Sequence, residues 1–90
     1  MKATDDATVE GVKAVLVGTL GLQGRADSLD ESTPLFGSLP ELDSLGVVEV
    51  AAALEGRFHI VLDGEDVTAE VFETVGSLSA LVDAKLAEQG

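Results

Sequence analysis

The sequence predicts an all-α fold, a bundle of three longer helices and one short helix in which a long loop joins the first two helices. Three separate stretches carry apolar residues at intervals of three and four, the spacing of one helix face. Apolar residues make up 46% of the chain but aromatic residues only 3%, which is typical of a Val, Leu and Ala core. A chain of 90 residues forms one domain with a modest core and no deep enzyme cleft. We predict this domain over residues 8–86, a flexible N-terminus over residues 1–7 and a C-terminal tail over residues 87–90.

Helix I is predicted to begin after an N-cap at Thr8 or Asp6 and to end near Gly21. Its apolar residues recur at helical spacing: Val9, Val12, Leu16 and Leu20. A long loop follows over residues 22–41, where the periodicity fails and turn residues collect. A loop of this length in a compact domain is either functional or packed down by its own apolar side chains. The side chains that could provide this packing are Leu29, Leu35, Phe36 and Leu39.

Helix II is predicted from Ser44 to Arg57, and its two faces differ. The face directed away from the core exposes small apolar side chains, two acidic residues and Gly56. This combination is typical of a docking surface. The residues predicted to face the core are Val47, Val50, Ala51, Leu54 and Phe58.

The remainder of the chain predicts a short helix III and a longer helix IV. The segment His59–Leu62 is rich in β-branched residues, but no nearby segment alternates well enough to pair with it, so we predict a packed loop. Residues 63–66 form a turn, and Val67–Phe72 is long enough only for a short helix III. Thr74 is predicted to cap helix IV. The apolar stripe of helix IV consists of Val75, Leu78, Leu81, Val82 and Leu86.

Charge and composition exclude several classes of function. Five basic and 17 acidic residues give a net charge of −12, which repels nucleic acid and anionic membranes and attracts basic proteins. The chain has no cysteine for a disulfide or a thiolate zinc site, and Asp63, Glu65 and Asp66 lack the spacing of a calcium loop. No acid/base pair, nucleotide loop, signal peptide or membrane span is evident. We therefore expect a cytoplasmic, monomeric protein that is not an enzyme and binds no metal.

Ser44 is the candidate functional residue. It lies in the run Pro40-Glu41-Leu42-Asp43-Ser44-Leu45, at the first turn of helix II. Backbone N–H groups and the positive end of the helix dipole stabilise an anion there by up to about 1 kcal/mol, which suits a phosphorylated hydroxyl. The alternative is that Ser44 only caps the helix, although Asp43 could serve as the cap equally well.

Four segments in the same order resemble the acyl carrier proteins. These are Leu42–Leu45, the helix II end Leu54–Phe58, the preceding loop Pro34–Gly37, and Val71–Leu78 at the entry into helix IV. Together the resemblance covers about residues 8–86. It implies a four-helix acyl-carrier-like bundle that acts as a carrier for partner enzymes.

The resemblance also implies a cofactor and partners. A phosphopantetheinyl transferase would transfer a 4′-phosphopantetheine arm from coenzyme A to the Ser44 hydroxyl. The magnesium ion for this reaction would be bound by the transferase. Acyl groups would then be attached to the arm as thioesters. Asp43 would assist recognition by the transferase. Acyl-loading and acyl-processing enzymes with basic docking surfaces would bind helix II. The positions that match the family's partner-facing residues are Leu45, Val48, Glu49, Ala52 and Glu55.

The chain departs from the family pattern in helix II, where Gly46 and the pair Gly56-Arg57 replace frequent acids. The weaker acidity favours polyketide or other specialised biosynthesis over the usual fatty-acid partners. Because the chain starts at Met1 and stops soon after helix IV, we expect a discrete carrier, although an excised domain would have a similar sequence. Two alternatives remain: a carrier of aminoacyl or peptidyl groups, and an unmodified acidic helical adaptor that binds a basic protein.

Overall fold

The computed structural model describes residues 6–36 and 42–89. Its elements are three α-helices and two short 3-10 helices: α1 (Asp6–Leu20), the first 3-10 helix (Gln23–Ser28), α2 (Ser44–Phe58), the second 3-10 helix (Gly64–Asp66) and α3 (Val75–Gln89). Within these described ranges, the only β pairing is a single antiparallel bridge between Pro34 and Thr74. The predicted all-α fold is confirmed.

The helix α1 starts at Asp6, two residues before the predicted boundary of the domain. Residues 1–5, the rest of the predicted flexible N-terminus, lie outside the described residues. Thr8 is not the N-cap that we predicted as one option, because it lies inside the helix. It is 5% exposed, and its hydroxyl donates a hydrogen bond to the Asp83 carboxylate in α3. This bond satisfies a buried hydroxyl and connects the first helix to the last.

The core lies where α1 packs against both α2 and α3. The predicted core face of α2 is confirmed: Val50, Ala51 and Leu54 are buried, while Val47 and Phe58 pack partly buried against them. Four of the five residues predicted for the stripe of α3 likewise belong to the core or pack against it, whereas Leu81 is half-buried and is not among the core residues. The fully buried apolar side chains are Val12, Leu16, Leu22, Leu35, Val50, Leu54, Phe72, Val75, Leu78 and Val82.

The described part of the long loop is bonded to the segment that precedes α3 and to the first turn of that helix. Leu35 and Phe36 donate backbone N–H bonds to the carbonyls of Glu73 and Phe72 at 2.8 and 2.9 Å. In the other direction, the Gly76 N–H bonds to the Glu31 carbonyl at 2.8 Å. An added Cβ at Gly76 would lie 2.9 Å from that carbonyl oxygen, so glycine allows the two backbones to approach.

The apolar packing predicted for this loop is confirmed for two of its four residues. Leu29 and Leu35 are 4% and 0% exposed. Phe36 is 43% exposed and does not belong to the core, and Leu39 lies outside the described residues. The 3-10 helix Gln23–Ser28 fills the first part of the loop, which explains how so long a connection stays compact.

The short helix predicted over Val67–Phe72 is wrong in position. This segment forms turns, closed by a bond from the Phe72 N–H to the Thr68 carbonyl at 3.2 Å. Six residues including two valines and a threonine gain too few bonds to offset the cost of starting a helix. The short helix of this region is instead the second 3-10 helix, where we predicted a plain turn.

An ion pair ties the second 3-10 helix to α3. The Lys85 ammonium lies 2.9 Å from the Asp66 carboxylate. The hydrogen bond from Lys85 lowers the pKa of Asp66, and the same bond raises the pKa of Lys85. The connection between α2 and α3 is therefore held to the bundle by charge as well as by apolar contacts.

Helix α3 begins with a reciprocal capping arrangement. The Ser77 N–H donates to the Thr74 hydroxyl at 3.1 Å, and the Thr74 N–H donates to the Ser77 hydroxyl at 3.0 Å. The predicted cap at Thr74 is confirmed. The helix continues to Gln89, so most of the predicted tail 87–90 is helical. Among the described helices, none has the length and apolar content to cross a membrane.

Candidate functional site

Ser44 is the first residue of α2 and is exposed to solvent. The residue before it, Asp43, is extended and is the N-cap: its carboxylate accepts the Gly46 N–H at 2.8 Å. The alternative in which Ser44 caps the helix is therefore wrong. The cap function falls to Asp43, and the Ser44 side chain is accessible at the end of the helix.

The backbone around Ser44 can stabilise an anion. The Val47 N–H bonds to the Asp43 carbonyl at 2.9 Å, and the Asp43 carboxylate takes the Gly46 N–H. The N–H groups of Ser44 and Leu45 come before the first helical bond and have no acceptor within the helix. These amides and the dipole of a 15-residue helix favour negative charge beside the Ser44 hydroxyl.

An apolar pocket of about 200 Å³ opens beside Ser44. It lies between α2, the turns that replace the predicted helix III, and the loop before α2. A cavity of roughly 150 Å³ is large enough to bind benzene, and the pocket beside Ser44 is larger than that. The lining residues are Phe36, Ser44, Val47, Val67, Thr68, Ala69 and Phe72. Sequence reasoning missed this pocket, because its walls come from three segments that are distant along the chain.

The predicted partner-facing residues of α2 are exposed, with one exception. Leu45 and Val48 are 67% and 62% exposed, and Glu49 and Ala52 are exposed beside them. We call these four residues the α2 strip. Glu55 is different: it is only half-exposed, and its carboxylate accepts the Leu62 N–H at 2.8 Å.

The loop after α2 adds an exposed apolar residue that sequence reasoning did not single out. Val61 is 72% exposed, while its neighbours Ile60 and Leu62 are buried and half-buried. The packed loop predicted here is thus confirmed for two of its apolar residues. His59 is exposed and is the C-cap of α2, where it adopts the left-handed conformation with φ at 57°.

The fold and site define a class of protein, a small helical carrier with an accessible serine at a helix N-terminus. The family model described as the phosphopantetheine attachment site matches residues 10–82. This match spans more than half of the chain, and the chain belongs to that family. Members of the family are carriers rather than enzymes, and they are substrates of phosphopantetheinyl transferases and biosynthetic enzymes.

The chain is also similar to a holo acyl carrier protein from Nitrosomonas europaea, whose structure was determined by solution NMR. The two are 42% identical in sequence and superpose with a TM-score of 0.82. The match covers 88% of this chain and 95% of the other. The predicted acyl-carrier fold and the predicted cofactor, a covalently attached phosphopantetheine, are both confirmed.

The residues around Ser44 fit such a group. The exposed hydroxyl can form an ester with its phosphate, the unbonded amides at the start of α2 favour the phosphate charge, and the adjacent pocket offers apolar surface. When bound, the group supplies the thiol that the cysteine-free chain lacks.

Proposed function

We propose that the chain carries acyl intermediates as thioesters on a 4′-phosphopantetheine arm attached to the Ser44 hydroxyl. The observation that carries this proposal is the position of Ser44, exposed at the N-terminus of α2 within the matched family region. Attachment makes the chain a phosphoprotein. The Ser44 oxygen attacks the phosphorus that carries pantetheine in coenzyme A, the bond to the nucleotide half breaks, and the hydroxyl proton passes to a base of the transferase.

The surroundings of other described serines support Ser44 as the attachment point. Ser77 donates its hydroxyl to the Val71 carbonyl at 2.7 Å as part of the α3 cap. Ser79 is fully buried and donates to the Val75 carbonyl. Ser32 donates to Asp30 within a turn. These hydroxyls already serve local structure, whereas Ser44 stands at a helix end that favours an anion.

We propose that Asp43 contributes its negative charge to recognition by the transferase. Its carboxylate already caps α2, so the two roles must be separated by substitution. Asn caps helices about as well as Asp. Asp43→Asn should therefore keep the helix while slowing transfer of the arm, whereas an unchanged transfer rate would limit Asp43 to capping.

The test of the attachment site is the intact mass of the protein. Apo protein incubated with coenzyme A and a broad-specificity phosphopantetheinyl transferase should gain the mass of one phosphopantetheine. Ser44→Ala should gain none, while the matched control Ser32→Ala should be modified like the wild type. No gain in the wild-type protein, or a gain that persists in Ser44→Ala, contradicts the proposal.

We place the cargo in the acyl class and the pathway in polyketide, fatty-acid-like or other specialised biosynthesis in the cytoplasm. The pocket beside Ser44 supports this proposal, since its apolar lining and size suit a short acyl chain. Partners with basic docking surfaces fit the net charge of −12. Loading by an acyltransferase is the expected result; loading only by an adenylating enzyme would make the cargo aminoacyl instead.

A further inference from the structure

Val61 is an exposed apolar side chain outside the α2 strip. It is 72% exposed, more than Leu45 or Val48 within the strip. Single exposed apolar residues are common on protein surfaces, so exposure alone does not indicate a contact. The informative observation is that specific bonds on both sides of Val61 hold it in this position.

Glu55 provides those bonds. Its backbone carbonyl accepts the Ile60 N–H at 3.3 Å, and its carboxylate accepts the Leu62 N–H at 2.8 Å. Ile60 is 3% exposed and Leu62 is packed against the core. With both neighbours bound to Glu55 and packed inward, the side chain between them is directed to solvent.

Glu55 also connects Val61 to the α2 strip. It follows Ala52 by three residues, which places both on one face of the helix. The helix rises about 16 Å from Ser44 to Glu55 at 1.5 Å per residue. An interface of standard size covers roughly 800 Å² per partner, or about 30 Å across. A single partner that reaches Ser44 and lies along the strip to Glu55 is therefore wide enough to reach the loop that Glu55 holds, which contains Val61.

The charge around Val61 indicates the chemistry of that partner. Asp63 in the same loop and Glu65 in the second 3-10 helix are both exposed, and Glu49 is exposed on the α2 strip. An apolar side chain among carboxylates fits an apolar recess that is rimmed by Lys and Arg side chains.

We propose that Val61 is an apolar docking contact for the phosphopantetheinyl transferase that reacts at Ser44, and that Glu55 is the residue that positions Val61. This inference rests on the proposed function, since it presumes that Ser44 is the reacting residue. It also assigns Glu55 a different role from that of a docking charge: the carboxylate acts as a hydrogen-bond acceptor for Leu62, and its effect on the partner passes through Val61.

The experiment measures transfer from saturating coenzyme A by a broad-specificity transferase, with the apo protein as the varied substrate. Val61→Ser should raise KM about fivefold with kcat unchanged, because an apolar contact to the partner is lost while Ser44 is untouched. Glu55→Ala should raise KM similarly. Glu55→Gln should restore most of this loss, since an amide oxygen can still accept the Leu62 N–H.

Two further variants complete the design. The double variant Val61→Ser with Glu55→Ala should be about as impaired as Val61→Ser alone, because the two residues act through one contact. Ala84→Ser, an exposed position on α3, is the matched surface control and should have the wild-type KM. Circular dichroism should show equal helicity in all variants.

The outcomes separate this inference from the proposed function. If the wild-type protein is not modified, the proposed function fails. If it is modified and Val61→Ser has the wild-type KM, Val61 is not a contact and this inference is wrong. If Glu55→Gln is as impaired as Glu55→Ala, the charge itself is recognised and Glu55 does not act by positioning.

Discussion

Helix α2 has apolar side chains on two faces, and only one of these faces is covered by the rest of the described chain. Val50 and Leu54 are fully buried in the core, whereas Leu45 and Val48 are 67% and 62% exposed. The residue types on the two faces are similar. The spacing of apolar residues along a helix therefore predicts which faces are apolar. Tertiary packing decides whether an apolar face is buried in the core or remains exposed for a partner.

The largest expected difference between the two faces is in stability. Leu54→Ala removes a fully buried side chain and should lower the free energy of unfolding by about 2–5 kcal/mol, because it leaves a cavity in the core. Val48→Ala, on the exposed face, should change it by less than about 0.5 kcal/mol. Urea unfolding followed by circular dichroism measures both, and a loss at Val48 as large as that at Leu54 would show that the exposed face is packed.

Helix α1 approaches the C-terminal end of α2 closely at Gly11 and is open at Gly18. A Cβ at Gly11 would lie 2.6 Å from Cζ of Phe58, whereas nothing lies within 4 Å of a Cβ at Gly18. Gly18→Ala should stabilise the protein by about 0.5–1 kcal/mol through helix propensity. Gly11→Ala should be less stable than Gly18→Ala by about 1–3 kcal/mol, because the Phe58 ring must move.

The two glycine variants can be compared by thermal and urea unfolding under one set of conditions. Equal stability of Gly11→Ala and Gly18→Ala would mean that the Phe58 ring moves at no cost. In that case α1 would not be closely packed against this part of α2.

The exposed face should respond to charge in binding rather than in stability. Glu49→Lys reverses an exposed acid on the α2 strip and should slow transfer of the arm severalfold at low salt, since it opposes attraction to a basic partner. Its unfolding free energy should remain close to that of the wild type. Raising the ionic strength should slow the wild-type reaction and reduce the difference between the two. A salt-independent difference would argue against electrostatic steering.

The smallest expected effect concerns the Asp66–Lys85 ion pair beside the pocket wall. Lys85 lowers the pKa of Asp66, so the pair stabilises the fold above the unfolded-state pKa of Asp66, which is about 3.8. This contribution is lost as the pH falls from about 4 through the lowered folded-state pKa. Asp66→Asn should therefore be slightly less stable than the wild type at pH 7 and approach it near pH 2. A difference that stays constant over this range would contradict the ion-pair contribution.

Much of the candidate site could be predicted from local sequence. The start of α2 follows from Asp43, whose carboxylate reaches only three residues ahead to Gly46. That local cap explains why Ser44 is exposed at the helix end. The pocket could not be predicted in this way, because Phe36, Val47 and Thr68 come together only after the loop before α2 packs against the turns after it.

The sequence by itself determined the three long helices, the cap at Thr74 and the inward face of α2, because these depend on residues within about four positions of each other. Only the tertiary structure decided that residues 67–72 form turns, that the long loop pairs with the segment before α3, and that Glu55 holds the Val61 loop. Each of these depends on which distant backbone groups find a partner when the chain is compact, and spacing along the chain does not encode that choice.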